Sequence, residues 1–133
     1  MKSKSGIQIL VVEDEPIISM LIEDMLIEIG CKNIKIMASI SSALEFLGGA
    51  QPDFTILDIN LNGTRSYPVA ALLKSRKIPF VFVSGYDAAT LDLAYADVQL
   101  LQKPFRIGDL DLMIETALAL TQADSSLDRR ELE

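Results

Sequence analysis

Apolar residues in this chain fall into two alternating patterns: short unbroken runs, and longer stretches in which they recur every three or four residues. Residues 7–12 (IQILVV) form the first run. The run is too short for a helix and too apolar for a strand with a solvent face, so it predicts a strand buried on both sides. Glu13, Asp14, Glu15 and Pro16 come next. Proline is favoured in a first helical turn and acids there meet the positive end of the helix macrodipole, so a helix opens at this point. From Ile17 onward Ile18, Leu21, Ile22, Met25, Leu26 and Ile29 recur at helical spacing, and Gly30 supplies the stop.

The alternation repeats along the chain. Residues 34–38, 54–57, 78–83 and 98–101 read as strands, and residues 39–47, 68–74, 88–95 and 107–120 as helices. Strands that alternate with helices call for an α/β fold, a parallel five-stranded sheet with helices on both faces joined by right-handed crossovers. After Thr121 the sequence ADSSLDRRELE is polar and charged, which predicts a frayed helix end or a disordered tail. The expected organisation is one domain over residues 1–121 and a polar tail over 122–133, with no linker and no effector domain.

Composition narrows the function classes. At 133 residues and 50% hydrophobic content the chain fits one domain with a sizeable core. No apolar run approaches the roughly 18 residues of a membrane span, and MKSKSG lacks the apolar segment of a secretory signal, so a soluble, cytoplasmic protein is expected. Cys31 is the single cysteine and there is no histidine, which excludes a cysteine metal cluster and histidine-based hydrolysis. The net charge of -7 repels phosphate backbones, so no direct nucleic acid binding is expected.

The stretch VQLLQKPF (98–105) ends a strand-like run in Lys103 followed by Pro104. Ligands of open parallel sheets bind beyond the carboxyl ends of the strands. Strand one ends in Glu13 and Asp14, strand three in Asp58, strand four in Ser84 and Gly85, and strand five in Lys103. Taken singly, these also read as a helix cap, an Asx turn in DINLNG, an ordinary strand-to-turn step and a lysine reaching for water. Together they place carboxylates, a hydroxyl and an ammonium along one sheet edge. Each close carboxylate pair at ~4 Å costs roughly 4 kcal/mol at an effective dielectric near 20, a cost that a divalent cation reverses. Oxygen ligands that leave positions for water suit Mg²⁺. An aspartate beside such a metal and a lysine can take a phosphoryl group as an acyl phosphate.

VVEDEP, ILDINL, FVSGY and LLQKPF, in that order and spacing, resemble the receiver domain of two-component response regulators from Ile7 to about Leu120. The resemblance implies a flavodoxin-like (βα)5 three-layer sandwich with strand order 2-1-3-4-5. It implies that Asp58 is the phosphoacceptor, that Asp14 binds Mg²⁺ directly, that Glu13 acts through a metal-bound water, and that the Asn60 carbonyl completes the protein ligands. Ser84 and Lys103 would contact phosphoryl oxygens, Gly85 would keep the site open, and the peptide before Pro104 would be cis. A histidine kinase or histidine phosphotransfer protein would supply the phosphoryl group, and a downstream protein partner would read it, or the chain would act as a phosphate shuttle or sink.

Three departures stand out. Leu100 occupies the position where many receivers carry an aromatic switch, the loop after Asp58 lacks the common proline-methionine pattern, and Tyr86 stands beside the site entrance, either as a gate or packed on the fourth helix. Two alternatives remain open. One is a phosphorylation-independent scaffold of the same fold; the other is a Mg²⁺-dependent phosphatase, which usually has an aspartate where this chain has Asn60. Ile17, Ile18, Met20 and Leu21 give the first helix more apolar surface than one buried stripe needs, and in the family this helix helps form the kinase-docking face. Residues 107–120 offer an apolar face either to a second copy, as a homodimer, or to their own core.

Overall fold

The computed structural model describes residues 3–85 and 91–132, with side chains described as far as residue 120. Strands β1 (Gln8–Val12), β2 (Asn33–Met37), β3 (Phe54–Asp58), β6 (Phe80–Ser84) and β7 (Leu100–Gln102) form one parallel sheet in the order β2-β1-β3-β6-β7. Counting only these five strands, the order is the predicted 2-1-3-4-5. A separate pair, β4 (Asn60–Leu61) and β5 (Thr64–Arg65), makes a small antiparallel hairpin after β3. The helices are α1 (Pro16–Ile29), α2 (Ile40–Gly49), α3 (Tyr67–Ser75) and α4 (Ile107–Leu132).

Strand alternation sorts the core into two layers. Ile9, Val11, Phe54, Ile56, Val81 and Val83 face α1 and α4, where Ile22, Leu26, Leu110 and Ile114 meet them. Leu10, Val12, Leu57 and Phe82 face the other way, against Ala43 and Leu47 of α2 and Val69, Ala70 and Leu73 of α3. This two-sided burial is why the central strands read as continuous apolar runs. Helix α1 carries proline in its first turn and ends at Gly30, whose φ of 117° lets its amide reach the carbonyls of Leu26 and Ile27. Helix α2 opens on a capping box between Ser39 and Ser42.

Three expectations need correction. Part of the helix expected over residues 88–95 lies outside the described residues, and the described part is a 3-10 turn, Leu93–Tyr95. The Asp92 side chain accepts the Ala94 amide at 3.0 Å, a local bond that favours a turn over continued α-helix. The tail expected to fray or be disordered after Thr121 continues α4 to Leu132, because from Asp109 onward the helix contains neither glycine nor proline to stop it. The segment after Asp58 is a hairpin, turned by Asn62 and Gly63 at φ of 53° and 82°, the left-handed pair that a two-residue hairpin needs.

Candidate functional site

In the sheet, β1 lies between β2 and β3, so the chain leaves β1 in one direction and resumes at β3 in the other. The crevice at that switch point is the usual ligand position in such folds. Glu13 sits directly after β1, its amide bonded to the Met37 carbonyl at 3.0 Å, and Asp58 ends β3. Their side chains are 1% and 8% exposed, respectively, so neither carboxylate is an ordinary solvated surface acid. Asp14, partly exposed, joins them: ligand oxygens of Glu13, Asp14 and Asp58 all lie within 4.8 Å of one another.

Lys103 closes the group from the far side of the sheet. Its backbone amide donates to the Ser84 carbonyl at 2.8 Å, which fixes the end of β7 beside β6. Its ammonium then donates to Glu13 Oε1 at 2.7 Å and to Asp58 Oδ2 at 3.0 Å. The peptide from Lys103 to Pro104 is cis, and Pro104 is exposed.

Burial pushes the Glu13 carboxyl up to about 7; the Lys103 ammonium opposes the shift, and neighbouring Asp58 adds to it. Burial acts to lower the pKa of Lys103, but hydrogen bonds to Glu13 and Asp58, with their charges, outweigh it and hold the ammonium above the usual lysine range. Lysine and carboxylates thus form a charge-assisted network rather than independent surface groups.

Backbone amides orient the remaining carboxylate oxygens. The Asn60 amide donates to Asp58 Oδ1 at 3.1 Å, and the Glu15 amide donates to Glu13 Oε2 at 3.2 Å. The Asn62 amide, at the tip of the hairpin, donates to Asp14 Oδ2 at 3.2 Å. That last contact was not anticipated from the sequence, although the Asn62-Gly63 dipeptide is a hairpin signal. Ser84 is buried at the end of β6, and a Cβ built on Gly85 meets nothing within 4 Å. Leu100 is half-buried in β7, opposite Phe82, and packs on the α2–α3 core layer. Tyr86 lies outside the described residues.

Three carboxylates converge, and one ammonium bonds two of them, leaving an excess of negative charge in a partly dry crevice with oxygen donors only. Such a donor set fits a hard divalent cation. A family model, the response regulator receiver domain, matches residues 9–115. The chain belongs to the response regulator receiver domain family.

Receiver domains of this family, part of two-component systems, are generally phosphoacceptors and generally bind Mg²⁺ at an acidic pocket. They interact with kinases or phosphotransfer proteins and with downstream partners. The receiver chain is 32% identical over 111 residues to the transcriptional regulatory protein TcrA of Mycobacterium tuberculosis, covering 80% of this chain and 44% of that protein. It therefore spans less than half the length of this curated relative. Among solved structures it resembles SdrG of Sphingomonas melonis Fr1, at 37% identity and a TM-score of 0.75, over 84% of this chain and 96% of that one. It also resembles the receiver domain of the PhyR response regulator of Erythrobacter litoralis, at 26% identity and a TM-score of 0.71, over 84% and 89% of the two chains. No helix among the described residues is long and apolar enough to cross a membrane.

Proposed function

We propose that the chain is a phosphoacceptor: a histidine kinase or histidine phosphotransfer protein donates a phosphoryl group to Asp58, and the modified domain then alters a contact with a protein partner or passes the group on. The observation that carries this reading is the pair of bonds from Lys103 to Asp58 and Glu13. They hold a half-buried ammonium on the very carboxylate that would carry the phosphoryl group.

A carboxylate oxygen of Asp58 attacks phosphorus as the donor's bond to phosphorus breaks, and an acyl phosphate forms. Lys103 then faces phosphoryl oxygens in place of the bare carboxylate, and the Ser84 hydroxyl stands at the adjacent strand end to donate to them. Asp14, Glu13, Asp58 and the Asn60 carbonyl would hold Mg²⁺, whose charge offsets that of the transferring oxygens. The asparagine side chain at position 60 offers no proton for leaving-group chemistry, which disfavours the phosphatase alternative.

Helix α1 supplies a docking face. Ile17, Met20 and Leu21 are 83%, 61% and 53% exposed, an apolar cluster on the first turns beside Glu13 and Asp14. A donor that seats on it would bring its phosphohistidine to the crevice. Incubation with Mg²⁺ and acetyl phosphate should add one phosphoryl mass to the wild type and none to Asp58→Ala; equal labelling of the two would sink the assignment.

A further inference from the structure

The crevice is joined along β6 to a cluster of aromatic rings. Alternation puts Phe82 on the same strand face as Ser84, two residues from the site. The Phe82 ring meets Tyr95 edge-on at 5.6 Å and Tyr67 edge-on at 6.4 Å. The two tyrosines stack on each other at 5.1 Å, with an interplanar angle of 14°.

Tyr67 is also tied to the other side of the site. The amide of its neighbour Ser66 donates at 2.8 Å to the carbonyl of Ile59, the residue after Asp58. Helix α3 therefore begins from a backbone bond to the end of β3. From this position the Tyr67 hydroxyl accepts the Asp92 amide at 2.9 Å, and the Tyr95 hydroxyl donates to the Tyr67 carbonyl at 3.4 Å. One residue before the end of α3, Lys74 donates to the Ala94 carbonyl at 3.0 Å and to Asp97 at 3.1 Å, and its ammonium stands 5.6 Å over the Tyr95 ring.

Helix α3 thus grips the segment from Leu91 to Asp97 at both ends. The segment has little hold of its own: a single 3-10 turn with Tyr95 as its buried residue, and Leu93, 90% exposed, at its crest. Elements with few buried contacts open at low cost, so the bonds from α3 set the position of this one.

We propose that Tyr67 is a positioning residue that latches the segment from Leu91 to Asp97 against α3, and that a phosphoryl group on Asp58 releases it. The second half rests on the phosphoacceptor reading; the first does not. New oxygens between Asp58, Ser84 and Lys103 need room, and the carboxyl ends of β3 and β6 must adjust to give it. Both ends lead to Tyr67, one through Ile59 and Ser66 and the other through Phe82. Rings packed at interior density do not yield smoothly. Adjustment therefore costs the latch its hydroxyl-to-amide geometry, and Leu93 with its flanking acids Asp92 and Asp97 becomes a surface that differs between the two states.

The test is amide hydrogen exchange of the full chain with Mg²⁺, before and after acetyl phosphate, with phosphoryl content followed by intact mass. Loss of one net hydrogen bond predicts that unmodified Tyr67→Phe exchanges roughly fivefold faster than the wild type at Tyr95, Ala96 and Val98. Tyr95→Phe, which keeps the bond from Asp92 to Tyr67, should change exchange less than twofold. Phosphorylation should speed wild-type exchange at these amides and add little in Tyr67→Phe, although both take up the same mass. Equal exchange in unmodified wild type and Tyr67→Phe would overturn the latch. A phosphorylated wild type with unchanged exchange would overturn the release. No added mass in the wild type would instead overturn the phosphoacceptor reading and the release with it, leaving the latch to the unmodified comparison.

Discussion

The Lys103 ammonium lies 2.7 Å from Glu13 Oε1, joining residues 90 positions apart in sequence, and it shares its remaining donors with Asp58. This bond holds two buried carboxylates together in one crevice. Replacing Lys103 with methionine leaves both without their counter-charge. At pH 8 and without Mg²⁺, Lys103→Met should lose on the order of 2–4 kcal/mol of stability in urea unfolding. The loss should shrink near pH 5, where Glu13 holds a proton.

Glu13 sets a pH dependence of its own. Its carboxyl is raised from 4.5 to about 7 in the folded protein, chiefly by burial, so the folded state binds a proton that the unfolded chain releases. Stability should therefore fall as pH rises from about 4.5 to about 7 without Mg²⁺, by an amount on the order of 2 kcal/mol. Glu13→Gln should flatten that slope while weakening Mg²⁺ binding, measured by urea unfolding and by Mg²⁺ titration. A slope unchanged by the substitution would place the titrating group elsewhere.

The exposed cluster on α1 separates donor recognition from chemistry. Met20→Glu should reduce phosphoryl transfer from the cognate donor at least tenfold, as expected when a charge enters an apolar docking contact worth more than about 1.4 kcal/mol. Labelling by acetyl phosphate should be unaffected, because Met20 is exposed on α1 and is not one of the crevice residues. Equal transfer by Met20→Glu and wild type would remove α1 as the docking face.

A buried hydroxyl marks a place where stability can be gained. Thr55, near the start of β3, is fully buried, and its Oγ1 has no hydrogen-bond partner among the described residues. Thr55→Val keeps the shape and removes the unpaired group, so it should stabilise by roughly 1 kcal/mol and raise the melting temperature by about 3–5 °C. Calorimetry of the two proteins checks this directly.

The parts of this protein legible in its sequence are those where one physical pressure dominates. The central strands β1, β3 and β6 are buried on both faces or nearly so, and their apolar runs announce them. Glu13, Asp58 and Lys103 stand out because charges at the ends of such runs must converge once the strands are parallel. The hairpin after Asp58 was obscured by shortness: two-residue strands carry no alternation, and only Asn62-Gly63 signals the turn. The continuation of α4 was hidden by polarity, since a charged tail reads as disorder even where nothing in it breaks a helix. The stacking of Tyr67 on Tyr95 spans 28 residues and two different elements, and no local pattern encodes such a contact. Residues 91–95 looked helical by apolar spacing, but the Asp92 side chain captures the backbone first.

The central claim is that Asp58, and no other carboxylate, accepts the phosphoryl group. An acyl phosphate is reduced by borohydride to an alcohol, which converts a phosphorylated aspartate to homoserine in the chain. Wild-type protein treated with Mg²⁺ and acetyl phosphate, then reduced and sequenced by tandem mass spectrometry, should carry homoserine at position 58 alone. Homoserine at position 14, or a corresponding reduced glutamate at position 13, with Asp58 intact, would contradict the account.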